Sequence, residues 1–210
     1  MTVAAEPRDI DTQELLVAIG GVGPAPTRTV VAYGFWIFLL SDIIMFSGLF
    51  AAYAVLSGNT AGGPTGRELF DLRTLFIETA CLLFSSYTCG LAALSGEHQR
   101  SDRFYVFAAL TFVLGAAFMF IEISEFVHMV GKGAGPSRSA FLSAFFTLVG
   151  MHGAHVSTGL LWLIYMAAQV LAKGLSPVVL RRFLCFSLFW HALDIIWVGV
   201  FTMVYLMGVD

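Results

Sequence analysis

The run YGFWIFLLSDIIMFSGLFAAYAVL, residues 33–56, decides the fold class. It exceeds the roughly 20 residues a helix needs to cross the hydrocarbon of a bilayer, and it carries one acidic residue, Asp42. Four more runs of the same kind follow at 72–94, 104–130, 141–171 and 183–207. Composition agrees: the chain is 58% hydrophobic and only 12% charged, with a mean hydropathy of +0.84. A soluble protein of 210 residues could not hide that much apolar surface. Continuous runs rich in Leu, Phe, Ala and Met also disfavour a membrane β-barrel, whose strands would be about 10 residues long with alternating polarity. The reading is an all-α integral membrane protein, a bundle of five transmembrane helices.

The connections are short and carry helix-ending residues: Gly58 to Gly66 with Pro64, Gly96 to Asp102, Gly131 to Arg138 with Pro136, and Gly174 to Pro177. Short loops make consecutive helices antiparallel. Ser176 can accept from the first free backbone N–H groups of a helix, and Pro177 suits a first-turn position, so the fifth helix is expected to begin there. Lys and Arg favour cytoplasmic loops. With the N-terminus inside, Arg8, Arg28, Arg100, Arg103, Lys173, Arg181 and Arg182 are cytoplasmic, against Arg67, Arg73, Lys132 and Arg138 outside. That bias places the N-terminus in the cytoplasm and the C-terminus in the periplasm.

Residues 1–30 read as a cytosolic N-terminal arm and 31–210 as the transmembrane domain. The arm bears Glu6, Asp9, Asp11 and Glu14 ahead of a Gly/Pro stretch, without the basic start and apolar run of a signal peptide. Cys81, Cys89 and Cys185 form no CxxC and read as small apolar side chains. The loop 131–136 lacks the preceding strand and the Lys and Gly spacing of a phosphate-binding loop. With a net charge of −3 and no basic face, nucleic acid is not an expected partner.

Every run holds ionisable residues: Asp42; Glu78; Glu122, Glu125 and His128; His152 and His155; His191 and Asp194. A charge at the centre of a membrane helix costs about 2.5 to 3.5 kcal/mol on insertion scales, so such groups face a partner helix, a headgroup or a hydrated path. Positions three apart share a helix face, which pairs His152 with His155 and His191 with Asp194. Counted by depth, Asp42, His152, His155, His191 and Asp194 lie in a mid-membrane polar layer expected where helices 1, 4 and 5 meet. Its roles would be packing, with proton or lipid traffic as further readings. Glu78, Glu122, Glu125 and His128 fall in the outer halves of helices 2 and 3, as lipid or subunit contacts.

Three readings of the histidines stand open on this pattern: helix-to-helix packing, a proton or ion path, and axial haem ligation by His152, His155 or His191. A one-turn spacing on a single helix suits one coordination site better than two faces of a porphyrin, and no thiol is placed to help a transition metal. Small residues at Gly48/Ala52, Gly150/Ala154 and Gly153/Ser157 allow close helix approach. Trp36, Phe35, Trp162 and Tyr165 read as interface anchors, Trp190 and Trp197 as packing or lipid-facing, and the many Phe residues as lipid-facing surface.

Three segments carry a family resemblance: WIFLLSD at 36–42, GMHGAHV at 150–156 and WHALDIIW at 190–197. In order and helix rank they resemble subunit III of haem-copper respiratory oxidases, over about residues 30 to 208. Glu78-Thr79, EISEF at 122–126 and GPSRS at 135–139 are similar to the cytochrome bo3-type ubiquinol oxidase branch. Five helices rather than seven, and Asp rather than Glu at position 42, point the same way.

The resemblance implies an accessory, non-redox subunit of a proton-pumping ubiquinol oxidase in the bacterial cytoplasmic membrane. It implies no metal, haem or copper site in this chain, with haem and copper in the partner subunit I. It further implies packing on subunit I beside subunits II and IV, bound phospholipid, and support of proton uptake, with no residue assigned a catalytic step. Arg181 and Arg182, at the cytoplasmic start of helix 5, are the headgroup candidates. A haem-bearing anchor of a quinone-linked dehydrogenase is the alternative. A small transporter is a weaker one, since no inverted repeat is visible.

Overall fold

The computed structural model describes residues 26–63 and 71–206, and nearly all of them fall in five helices. These are α1 (Thr27–Leu56), α2 (Leu72–Glu97), α3 (Ser101–Gly131), α4 (Ala140–Lys173) and α5 (Pro177–Val200), the last continuing into a widened π-type turn, Phe201–Leu206. All five are long and apolar enough to cross a membrane, and the described residues contain no strand. The helices overrun the apolar stretches by up to six residues. Helix α1 starts at Thr27, inside the segment assigned to the arm. The rest of that arm, with Pro64, Arg67 and residues 207–210, lies outside the described residues.

The caps follow the local chemistry. Ser176 precedes Pro177 and accepts from the Val179 amide at 3.5 Å, which starts α5 where the sequence placed it. Ser139 accepts from the Leu142 amide at 3.2 Å and starts α4. Gly174 ends α4 at φ +65°, a conformation that L side chains rarely adopt. Asp71 caps α2, accepting from the Arg73 amide at 3.0 Å and the Thr74 hydroxyl at 2.8 Å. Those bonds, the Thr74 one first, hold its carboxyl below the usual carboxylate range.

Burial separates a central helix from a peripheral one. Half of α5 is buried, and it packs against α1, α2 and α4. Helix α1 buries only Leu39, Phe46 and Tyr53, a single stripe at seven-residue spacing laid on α4 and α5. Helices α2 and α3 form a tight hairpin. Two contacts tie the ends together: the Gln99 side-chain amide donates to the Leu175 carbonyl at 3.0 Å, and the Phe141 amide to the Asn59 carbonyl at 3.3 Å.

The phenylalanines divide between surface and core. Phe38, Phe76, Phe84 and Phe120 are exposed as expected, but Phe46, Phe104, Phe118, Phe141, Phe145, Phe183, Phe186 and Phe189 are buried. They meet edge-on or tilted, as Phe104 does with Phe183 at 4.9 Å and Phe118 with Trp197 at 4.7 Å. Without a hydrophobic force between helices in lipid, dense contact of this kind is what favours association.

Candidate functional site

The strongest polar contacts lie between α2 and α5. Hydropathy ranks Ser and Thr as bland, yet α2 turns Ser85, Ser86, Thr88 and Ser95 inward, with Thr79 part-buried. Trp197 Nε1 donates to Thr79 Oγ1 at 3.1 Å, and Trp190 Nε1 to Ser85 Oγ at 3.1 Å. Ser86 Oγ and His191 Nδ1 are hydrogen-bonded at 2.6 Å. Two of the hydroxyls also bond the preceding turn of their own helix: Thr79 donates to the Leu75 carbonyl at 2.9 Å and Ser85 to the Leu82 carbonyl at 2.7 Å. The two indole contacts are therefore matched on both partners. Interhelical bonds of this type contribute about 0.6 kcal/mol each in bilayers, with a maximum near 1.7.

Glycine makes room for it. The Trp190 ring lies against Gly115 of α3 and Gly159 of α4: a Cβ at Gly159 would stand 2.7 Å from the ring, and one at Gly115 2.9 Å. The glycines chosen from sequence spacing behave differently. Gly48 has open space around it, Gly150 meets only Phe126 at 3.8 Å, and Gly153 meets the flexible end of Met119 at 3.6 Å.

The expected layer among helices 1, 4 and 5 divides into three environments. His152 is fully buried in an aromatic box, stacked on Trp197 at 5.2 Å and edge-on to Phe118 and Phe46 at 5.9 and 6.4 Å. His155 does lie where α1, α4 and α5 meet, its ring packed on Phe46 and Phe189 and its Nδ1 donating to the Met151 carbonyl at 2.8 Å. Asp42, half-buried on the flank of the α1 stripe, makes no hydrogen bond among the described residues. His191 and Asp194 share a face as expected, but that face meets Ser86 in an open groove on α2, away from α1 and α4. The rotation of α5 decides this: placing Trp190 and Trp197 inward carries residues 191 and 194 toward α2.

The outer group also divides. His128 is exposed on the last turn of α3. Glu78 and Glu122 point inward and are 0% and 3% exposed, with Glu125 part-buried beside them. The Glu78 carboxyl faces those of Glu122 and Glu125, and Glu125 in turn faces Asp71. Tyr205, in the widened turn after α5, is near all three glutamates and Tyr53. The Tyr53 hydroxyl donates to the Val204 carbonyl at 3.3 Å, occupying an acceptor in that irregular turn. Among the described residues no Lys or Arg pairs with these acids, and the single ion pair is Arg28 with Glu97.

Toward the opposite end, Arg28, Glu97, Arg181, Ala93, Leu180, Phe183 and Leu184 line a cavity of about 200 Å³. Arg182 is engaged elsewhere, donating to Gln169 Oε1 at 3.0 Å. Cys81, Cys89 and Cys185 are free thiols within helices. Among the described residues no three His, Cys, Asp or Glu side chains converge as metal ligands.

These features define a multi-pass helical membrane protein whose polar interior joins helices to one another. The family model for cytochrome c oxidase subunit III matches residues 8–209, and the chain belongs to that family. It is 53% identical over 176 residues to the cytochrome bo(3) ubiquinol oxidase subunit 3 of Pseudomonas aeruginosa, covering 84% of each chain. It is 49% identical to the protein of the same name from Pseudomonas putida, over 84% of this chain and 85% of that one. It is 45% identical to the quinol oxidase subunit 3 of Bacillus subtilis, over 83% and 86%. Membership makes this an accessory subunit of an oxidase complex, associated with the complex's other subunits.

Proposed function

We propose that the chain is subunit III of a bacterial cytochrome bo3-type ubiquinol oxidase, held in the cytoplasmic membrane with its N-terminus inside. The observation that carries this reading is the 53% identity, over 84% of both chains, to a subunit of that name. The geometry supports a structural contribution. Its three signature segments lie on α1, α4 and α5, the helices that meet around Phe46, His155 and Phe189. Quinol oxidation and oxygen reduction belong to partner subunits, with haem and copper in subunit I. This chain packs on subunit I beside subunits II and IV, stabilises it, and supports its proton uptake.

Bound phospholipid is part of the same reading. The cavity that places Arg181, next to the Arg28–Glu97 pair, over an apolar floor suits an anionic headgroup with its acyl chains running along α2 and α5. Arg181 is the better ligand of the two neighbouring arginines, since Arg182 already holds Gln169.

An affinity tag on this chain tests the assignment. Oxidase subunits I and II should co-purify with it in one haem-containing complex, while the chain purified alone should show no haem absorbance. Haem that stays with the isolated chain, with its bands lost in His155→Ala, would support the dehydrogenase-anchor reading instead.

A further inference from the structure

The glutamate group between α2, α3 and the end of α5 is left unused by packing and by the proposed lipid site. Two observations set it apart. All four carboxyl oxygens of Glu78 and Glu122 are buried without a hydrogen-bond partner among the described residues. The acids also form a graded series: Asp71 is exposed at the α1–α2 loop, Glu125 part-buried, and Glu122 and Glu78 buried. Each faces the next.

Neighbouring carboxyl groups in an apolar interior, with no cation beside them among the described residues, cannot both be charged. Nor is a dry, unpartnered carboxyl stable, since burying such a group without a hydrogen bond costs about 2 to 7 kcal/mol. Sharing a proton and admitting water meets both demands, because a buried water makes about three hydrogen bonds to otherwise unsatisfied groups.

We infer that Glu78 and Glu122 hold one exchangeable proton between them, hydrated, and reached from the end of the bundle bearing the α1–α2 and α3–α4 loops through Glu125 and Asp71. In exchange, a proton arriving through the water adds to the carboxylate of the pair as the O–H bond of the carboxylic acid breaks, and the proton released passes to water, then to the Glu125 carboxylate, and leaves at Asp71, so the pair always keeps one proton. No electron moves, and water is the only co-reactant. The other titratable groups around the pair are Cys81 on α2 and Tyr205 after α5, with Tyr53 of α1 beside Tyr205. From α4, His152 is buried against Phe118 and Trp197. The inference holds whichever way the chain is oriented, and it stands or falls separately from the identity of the electron donor.

Infrared difference spectroscopy of the purified oxidase complex tests it. Wild type minus Glu78→Gln and wild type minus Glu122→Gln should each show one protonated-carboxyl stretch that shifts in D2O, and Glu125→Gln should slow that shift several-fold. Should a Gln variant fail to assemble, Glu78→Asp and Glu122→Asp keep the acid and should move the band. Three results would overturn the inference: no such band, a band untouched by prolonged D2O or by the Asp variants, or a band absent in sodium buffer and restored in choline buffer. The last result would mark a cation site.

Discussion

Thr79 and Glu78 are neighbours on α2, yet they belong to opposite kinds of polar interior. Thr79 takes the Trp197 indole N–H and gives its own proton to Leu75, so every polar atom in that contact is matched. The Glu78 carboxyl, one residue away, has neither donor nor cation among the described residues. A matched pair joins helices and has one rigid arrangement. An unmatched acid keeps an unfilled demand, which is what exchange with water or protons requires. Polarity within a membrane bundle is therefore two properties, and hydrogen-bond accounting separates them.

Breaking the matched side should produce the larger losses of stability. Trp190→Ala empties the space framed by Gly115, Gly159 and Ser85 and should destabilise the subunit by about 3 to 5 kcal/mol, measured by denaturant unfolding in detergent. Gly159→Val fills the same seat from the other side. With the ring 2.7 Å from a Cβ there, a loss of about 1 to 3 kcal/mol is expected, and crystallography or near-ultraviolet circular dichroism should show Trp190 displaced. Thr79→Val keeps the shape and strands the Trp197 N–H, at a cost of about 1 kcal/mol.

Ser139→Ala removes the α4 cap, also costing about 1 kcal/mol; hydrogen exchange should then show fraying confined to the first turn of α4. Glu78→Gln gives the smallest effect, because no pairing is lost. Unfolding that moves as far as in Thr79→Val would erase the distinction between the two regions.

Much of the fold was legible in the chain. Five apolar runs gave five helices, Ser176-Pro177 marked the start of α5, and three-residue spacing put His191 and Asp194 on one face. The partner of that face was not legible, since rotation of α5 depends on which indoles find hydroxyls. Thr79, Ser85 and Ser86 carry almost no hydropathy signal, and their role shows only once Trp190 and Trp197 are placed. The seven-residue spacing of Trp190 and Trp197, facing the six-residue spacing of Thr79 and Ser85 on α2, was the available clue.

Glycine spacing misled for a related reason. Gly48, Gly150 and Gly153 satisfy a small-residue pattern, but Gly115 and Gly159 are the ones a ring needs. Likewise the buried phenylalanines could not be told from lipid-facing ones, because both environments are apolar and only the contact partner differs. The glutamates of α2 and α3 were visible as intramembrane acids, whereas their convergence near Tyr205 depends on the α2–α3 hairpin and the widened turn after α5.

The most direct measurement compares the unfolding free energies of Thr79→Val and Glu78→Gln in the same detergent with the same wild-type reference. A matched seam beside an unmatched acid predicts that Thr79→Val lies about 1 kcal/mol below wild type and that Glu78→Gln lies at or above it. The reverse order, with Glu78→Gln the weaker protein, would contradict the division between a structural seam and an acid site free to exchange.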